Sequence, residues 1–135
     1  MNDLIKRQFK IFRNNDESKI QMDVARGDGS ILLQIFKSYD VKNWTNLKVA
    51  DKKEEGFYVV IFFSNSKFDN KNNLKRFKSS KLSSKFTKFG KKFIAYYLHF
   101  PENIETTDMV LFLRELIGEI YIINNETITL TVNSY

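Results

Sequence analysis

The chain has 135 residues, 42% hydrophobic and 15% aromatic, a composition typical of one packed domain rather than a disordered segment. It has no cysteine and one histidine, which excludes disulfides and cysteine nucleophiles and argues against a histidine-based metal site or catalytic triad. The net charge is +6. Charges break up the apolar runs at the N-terminus and no stretch approaches the roughly 20 apolar residues of a membrane span, so we expect no secretory signal, no membrane span and a cytoplasmic location. No cofactor and no metal site are predicted.

Residues 3–13 predict an amphipathic helix with Asp3 as its N-cap. The apolar face is predicted to hold Leu4, Ile5, Phe9, Ile11 and Phe12, and the opposite face Lys6, Arg7, Lys10 and Arg13. An ordinary helix packed on the core explains this pattern. The functional alternative is a basic helix for a membrane surface or a nucleic acid, and the structural alternative is a strand over residues 8–13.

The next two segments, residues 19–25 and 31–36, predict a hairpin because Asp28-Gly29 between apolar runs is a strong turn signal. A two-residue loop there pairs Val24 with Leu33, Met22 with Ile35 and Asp23 with Gln34. A helix over residues 31–39 behind a phosphate-binding glycine loop is an alternative, but the rest of a nucleotide fingerprint is missing. Arg26-Gly27-Asp28 spells the integrin-recognition tripeptide, which the predicted turn explains equally well.

The middle of the chain predicts two strands with apolar residues on both faces, as in the interior of a sheet. They are residues 57–63, in a hairpin with residues 47–51, and residues 93–100, which end at Pro101. Residues 37–46 predict a connection in which Trp44 packs on the core. His99, in phase with apolar strand residues, is predicted to be structural.

Residues 106–117 predict a buried helix with Thr106 or Thr107 as its cap and Gly118 just past its end. A last hairpin is predicted from residues 119–123 and 127–132. The fold class is therefore α+β: a mainly antiparallel sheet of hairpins, a buried C-terminal helix, an N-terminal helix and a terminal hairpin, in one domain over residues 1–135.

The charge is concentrated in residues 67–92, a basic insertion between two strands. This basic run holds ten basic residues and one acid, a net charge of +9, whereas the rest of the chain carries 12 basic and 15 acidic residues. Cations and aromatic residues recur every three or four positions, which indicates a helix with two stripes, but its serine and asparagine pairs favour a mobile loop instead. If the run is a surface insertion, the core forms without it.

Lysines can neutralise phosphates and exposed aromatic rings can stack on bases, so the leading hypothesis is a non-enzymatic nucleic-acid binder directed to the backbone or to single strands. The predicted nucleic-acid-binding residues are Lys71, Lys75, Arg76, Phe77, Lys78, Lys81, Lys85, Phe86, Lys88, Lys91 and Lys92. The alternative without a binding role is a solvated segment whose phenylalanines pack on the core.

Two further hypotheses remain. A small inhibitor or immunity-type protein could use the same run on an acidic protein surface. A magnesium-dependent nuclease could use the acid, spacer and lysine of Asp51-Lys52-Lys53 with an upstream Asp40 or Asp28, a layout that a charged hairpin tip shares.

Overall fold

Six strands form one antiparallel sheet in the computed structural model, which describes residues 2–17, 19–27, 29–38, 55–63, 70–89, 94–121 and 128–134. The strands are β1 (Ile20–Arg26), β2 (Ile31–Lys37), β3 (Gly56–Phe62), β4 (Thr87–Phe89), β5 (Ala95–Pro101) and β6 (Ile128–Ser134). Their order across the sheet is β4-β5-β3-β2-β1-β6, and every pair is antiparallel. The helices are α1 (Asn2–Asn14), α2 (Asn70–Ser79) and α3 (Thr106–Ile120), with a 3₁₀ helix at Lys81–Lys85. The predicted α+β class with a mainly antiparallel sheet is confirmed.

The main core lies between the helices and one face of the sheet. Side chains alternate between the two faces of a strand, so Val59 and Ile61 join the main core while Tyr58 and Val60 join a second cluster with Phe36. Six of the seven residues of β3 are buried, which confirms the prediction that this strand is interior. None of the helices in the described ranges is long and apolar enough to cross a membrane.

Helix α1 confirms the prediction of an amphipathic N-terminal helix, since Ile5, Phe9 and Phe12 are all buried. Ile11 was expected on the same face, but it is 49% exposed. One residue of an α-helix turns by about 100°, so Ile11 points well away from Phe12. Asp3 lies within the first turn of the helix rather than at the cap before it.

The β1–β2 hairpin confirms the predicted pairs Met22–Ile35 and Val24–Leu33, but its loop differs. Arg26 N–H donates to the Ser30 carbonyl at 2.8 Å, and Gly29 N–H donates to the Arg26 carbonyl at 2.9 Å. These bonds close a three-residue loop in which Gly29 has a positive φ of 92°, a conformation that suits glycine. The alternative of a helix beginning at residue 31 is wrong, because that segment is β2.

An extra residue in β2 accompanies this loop. Val24 lies opposite Leu33 and Ala25 opposite Ile31, so Leu32 bulges out of the pairing. The buried Tyr121 hydroxyl, just beyond α3, donates to the Leu32 carbonyl at 2.5 Å. Burial raises the pKa of the Tyr121 phenol, an effect that the positive charge of Arg26 partly offsets. Tyr121 therefore joins the end of α3 to the bulge.

The C-terminal part of the chain corrects two predictions. Helix α3 does not stop before Gly118 but continues to Ile120, which is fully buried, and its N-cap is Glu105 rather than a threonine. The predicted first strand of the last hairpin, residues 119–123, is wrong at its start, because Glu119 and Ile120 are helical; residues 122–127 lie outside the described residues, and β6 pairs with β1. That pairing sets Leu130 opposite Val24, so both apolar side chains face the helices.

Strand β5 ends at Pro101, as predicted, and pairs with the interior strand β3 along its whole length. His99 lies on β5 with its ring 4.8 Å from that of Tyr58, in an edge-to-face contact between two strands. Trp44, the predicted strand 47–51 and Phe93 lie outside the described residues.

Two glycines give a matched test of the backbone. Gly56 has φ of 148°, and a Cβ there would lie 2.0 Å from the Phe100 carbonyl oxygen, whereas a Cβ on Gly118 would meet nothing within 4 Å. We expect Gly56→Ala to lower the free energy of unfolding by about 1–3 kcal/mol or more. Gly118→Ala should raise it by roughly 0.4–1 kcal/mol, because alanine restricts the unfolded chain and fits a helix. Urea denaturation measures both, and equal effects would contradict the structure.

Tyr121→Phe tests the bond to the bulge. The variant should lose about 1–3 kcal/mol at pH 7, because the buried Leu32 carbonyl loses its donor. The folded-state pKa of Tyr121 is raised, so its contribution is complete below the unfolded pKa of 10.0 and is lost as the pH rises above it. The wild type should therefore lose up to about 1.4 kcal/mol per pH unit above pH 10 through this residue. Urea denaturation at pH 7 and above pH 10 should show a shallower alkaline decline in the variant, and parallel declines would contradict this assignment.

Candidate nucleic-acid interface

The described part of the basic run, residues 70–89, is folded as α2, the 3₁₀ helix and β4. The prediction of one striped helix is wrong, because the α-helix ends at Ser79. Ser80 is extended and its hydroxyl accepts from the N–H of Leu82 at 3.0 Å, which caps the 3₁₀ helix. The serine pair thus ends one helix and begins the next, and these residues do not form the mobile loop that was the other prediction.

The apolar residues of the run pack into the main core. Phe77 is fully buried, and its ring centroid lies 4.7 Å from that of Tyr96, 5.2 Å from Phe86 and 5.5 Å from Phe63. Leu82 is 4% exposed and Phe86 9%. Phe77 and Phe86 therefore leave no ring face for base stacking, which argues against the role predicted for them. The run also contributes to the core, contrary to the expectation that the core forms without it.

The lysines of the same elements lie on the outside. Between Asn70 and Ile94 the sequence contains no acidic residue. Five lysine side chains in this stretch are exposed, and none of them makes an ion pair or hydrogen bond with another described residue. They are Lys75, Lys78, Lys81, Lys85 and Lys88, and we call this set the lysine row. Lys71 lies in α2, but its side chain is not among those described, and Lys91 and Lys92 are outside the described residues.

Arg76 has a different role from its lysine neighbours. Its Nε donates to the Ile120 carbonyl at 2.7 Å, and its Nη2 donates to the side chain of the buried Asn73. The last carbonyls of an α-helix lack partners within the helix and attract cations. Arg76 thus caps α3 and holds α2 against it, which gives it a structural role beside its predicted contact with nucleic acid.

A shallow groove of about 460 Å³ lies where α2 and the 3₁₀ helix meet the end of α3. Its lining residues are Lys75, Arg76, Ser79, Ser80, Lys81 and Glu119. The Ser80 hydroxyl donates to Oε2 of Glu119 and accepts from Leu82. Glu119 was not predicted as a site residue, because it was predicted to lie in a strand. Only the continuation of α3 brings it beside the basic run.

Two other polar regions of the described chain lack an excess of positive charge. Asp23, buried in β1, accepts from the side-chain amides of Gln21, Gln34 and Asn133, each at 2.9 Å. These neutral donors link three neighbouring strands.

A cavity of about 470 Å³ at the C-terminal end of α1 mixes cations with acids. Its charged lining residues are Arg13, Asp16, Lys37, Glu55 and Glu102. Both cations bind backbone: Arg13 donates to the Ile104 carbonyl and Lys37 to the Asn15 carbonyl. A cavity that mixes positive and negative charges in this way does not favour the binding of a polyanion.

The nuclease hypothesis depends on residues beyond the described ranges, namely Asp28, Asp40, Asp51, Lys52 and Lys53. Within the described ranges, no three His, Asp or Glu side chains form a cluster that could hold a metal ion.

Comparison with known proteins identified no relative of this chain. A scan against protein-family models found no match, and searches of curated proteins and of solved structures found none either.

The contrast between Phe77 and its neighbour Lys78 gives a direct test of this arrangement. Phe77→Ala should lower the free energy of unfolding by about 3–5 kcal/mol, because it opens a cavity among three aromatic rings. Lys78→Ala, at an exposed position on the same helix, should change it by no more than about 0.5 kcal/mol. Chemical denaturation of the two variants measures the difference. A small loss for Phe77→Ala would show that the run is not part of the core.

Proposed function

We propose that this protein binds nucleic acid without cleaving it, through the phosphate backbone and by means of the lysine row. The observation that supports the proposal is a set of five exposed lysines without described partners, in a stretch that contains no acid. A surface of one sign concentrates a field that attracts a polyanion, and each lysine that meets a phosphate releases counterions.

Residues 70–89 of the basic run are folded, which favours binding. Phe77, Leu82 and Phe86 pack into the core, so the backbone between the lysines is ordered before any partner arrives. Only the lysine side chains then lose conformational freedom on binding, which lowers the entropic cost relative to a disordered tail. The lysine row is thus a preformed cationic surface.

The chemistry of the row favours phosphates over bases. The two aromatic rings that would have stacked on bases are buried, and the arginine of the run, which would offer a bidentate fork, is bound to α3. Lysine acts as a compact point charge that recognises phosphate without selecting a sequence. We therefore propose a backbone-directed binder with little base specificity.

The test is a matched pair of triple variants. Lys75, Lys78 and Lys81 are changed to alanine in one, and Lys6, Arg7 and Lys10, which are exposed on α1, in the other. Both variants lose three positive charges. Binding to labelled single-stranded and duplex DNA is titrated from about 50 mM to about 200 mM salt. The first variant should bind more weakly, with the slope of log K against log salt reduced by about 0.7 per lost contact on single strands or about 0.9 on duplex.

The α1 variant should keep most of the wild-type slope, and both should keep the wild-type free energy of unfolding. Equal losses in the two variants would mean that net charge, not the lysine row, governs binding. Absence of salt-dependent binding in the wild type would reject the proposal. If the row instead binds polyglutamate but not DNA or RNA, the partner is an acidic protein surface, as expected for the inhibitor-type alternative.

A further inference from the structure

Glu119 is the only acid among the described residues that line the groove beside the lysine row. It lies in the last turn of α3, where the helix carries partial negative charge and a carboxylate is disfavoured. The groove supplies the positive charge that the helix end lacks, because Lys75, Arg76 and Lys81 line it together with two serines. The carboxylate is therefore held by the groove rather than by its own helix.

The hydrogen bonds of Ser80 show what kind of group the groove accepts. A serine hydroxyl has one proton to donate, and in Ser80 it is donated to Oε2 of Glu119, while the oxygen accepts from the Leu82 N–H. An anionic oxygen thus already accepts the Ser80 proton in a groove that two lysines line. A phosphate oxygen has the same charge and the same accepting capacity.

We infer that Glu119 is an internal competitor: its carboxylate occupies a phosphate position in the groove and weakens the binding of nucleic acid. This inference rests on the proposed function and concerns the regulation of that same surface. A phosphate that enters between Lys75 and Lys81 displaces the carboxylate from Ser80. The chain thereby keeps part of its cationic surface neutralised until a polyanion replaces the internal acid.

A purely structural role for Glu119 makes a different prediction. The bond from Ser80 joins the end of α3 to the start of the 3₁₀ helix, so Glu119 could serve only to hold these elements together. Glu119→Gln separates the two roles, because the amide oxygen still accepts the Ser80 proton while the charge is lost. Glu115→Gln is the matched control, since it removes the same charge one turn earlier on α3, at an exposed position that does not line the groove.

The first measurement is the affinity of the wild type and both variants for labelled oligothymidine and for a labelled duplex. We expect Glu119→Gln to bind about fivefold more tightly, the effect of one like charge at about 4 Å in water. Its salt slope on single strands should steepen by about 0.7, because the carboxylate no longer offsets one positive charge of the groove before a phosphate binds. Glu115→Gln should stay within about twofold of the wild type, because exposed charges are screened over about 8 Å at physiological salt.

The second measurement uses inorganic phosphate alone, with chloride keeping the ionic strength constant. Phosphate should raise the melting temperature of Glu119→Gln more than that of the wild type or of Glu115→Gln. Equal affinities and equal phosphate effects in the two variants would overturn the inference, even if the chain binds nucleic acid. If no form of the chain binds nucleic acid but phosphate selectively stabilises Glu119→Gln, the internal competitor stands and the proposed function fails.

Discussion

The packing of Phe77 among Phe63, Tyr96 and Phe86 is the contact on which the candidate surface depends. These rings come from three separate stretches of the chain and meet against the helix-facing side of the sheet. Aromatic side chains bury large apolar areas, so this cluster contributes several times more than any bond that the exposed lysines could form with the rest of the protein. A segment that carries seven positive charges between Asn70 and Phe89 is thereby held in one place despite its self-repulsion.

The end of α3 is the second point at which distant elements meet. Three consecutive residues there each take part in a side-chain hydrogen bond: Glu119 with Ser80, Ile120 with Arg76, and Tyr121 with Leu32. The first two bonds join α3 to the basic run, and the third joins it to the bulge in β2. The groove therefore depends on how far α3 extends. A helix that ended at Ile117 would not bring these three residues to their hydrogen-bond partners.

Much of the sheet could be predicted because its information is local. Alternating apolar residues on both sides of a glycine turn specify the pairing of Val24 with Leu33, and a one-residue slip would turn the apolar side chains of β1 or β2 to the wrong face. The continuous apolar run of β3 likewise requires cover on both faces. The C-terminal prediction failed where periodicity is ambiguous: the apolar residues around Ile120 suit a strand or a helix, and long-range pairing of β6 with β1 decided between them.

The sequence by itself determined that positive charge is segregated into one run and that aromatic residues alternate with it, because composition and spacing are properties of the chain alone. It could not determine which side chains of that run face outward. The tertiary structure decided this, since burying Phe77 and Phe86 in the core turns Lys75, Lys78 and Lys81 to the surface, while the Ile120 carbonyl at the end of α3 accepts from Arg76 and holds it against that helix. The physical reason is that apolar burial and the capping of helix ends require partners distant in sequence, which no local pattern identifies.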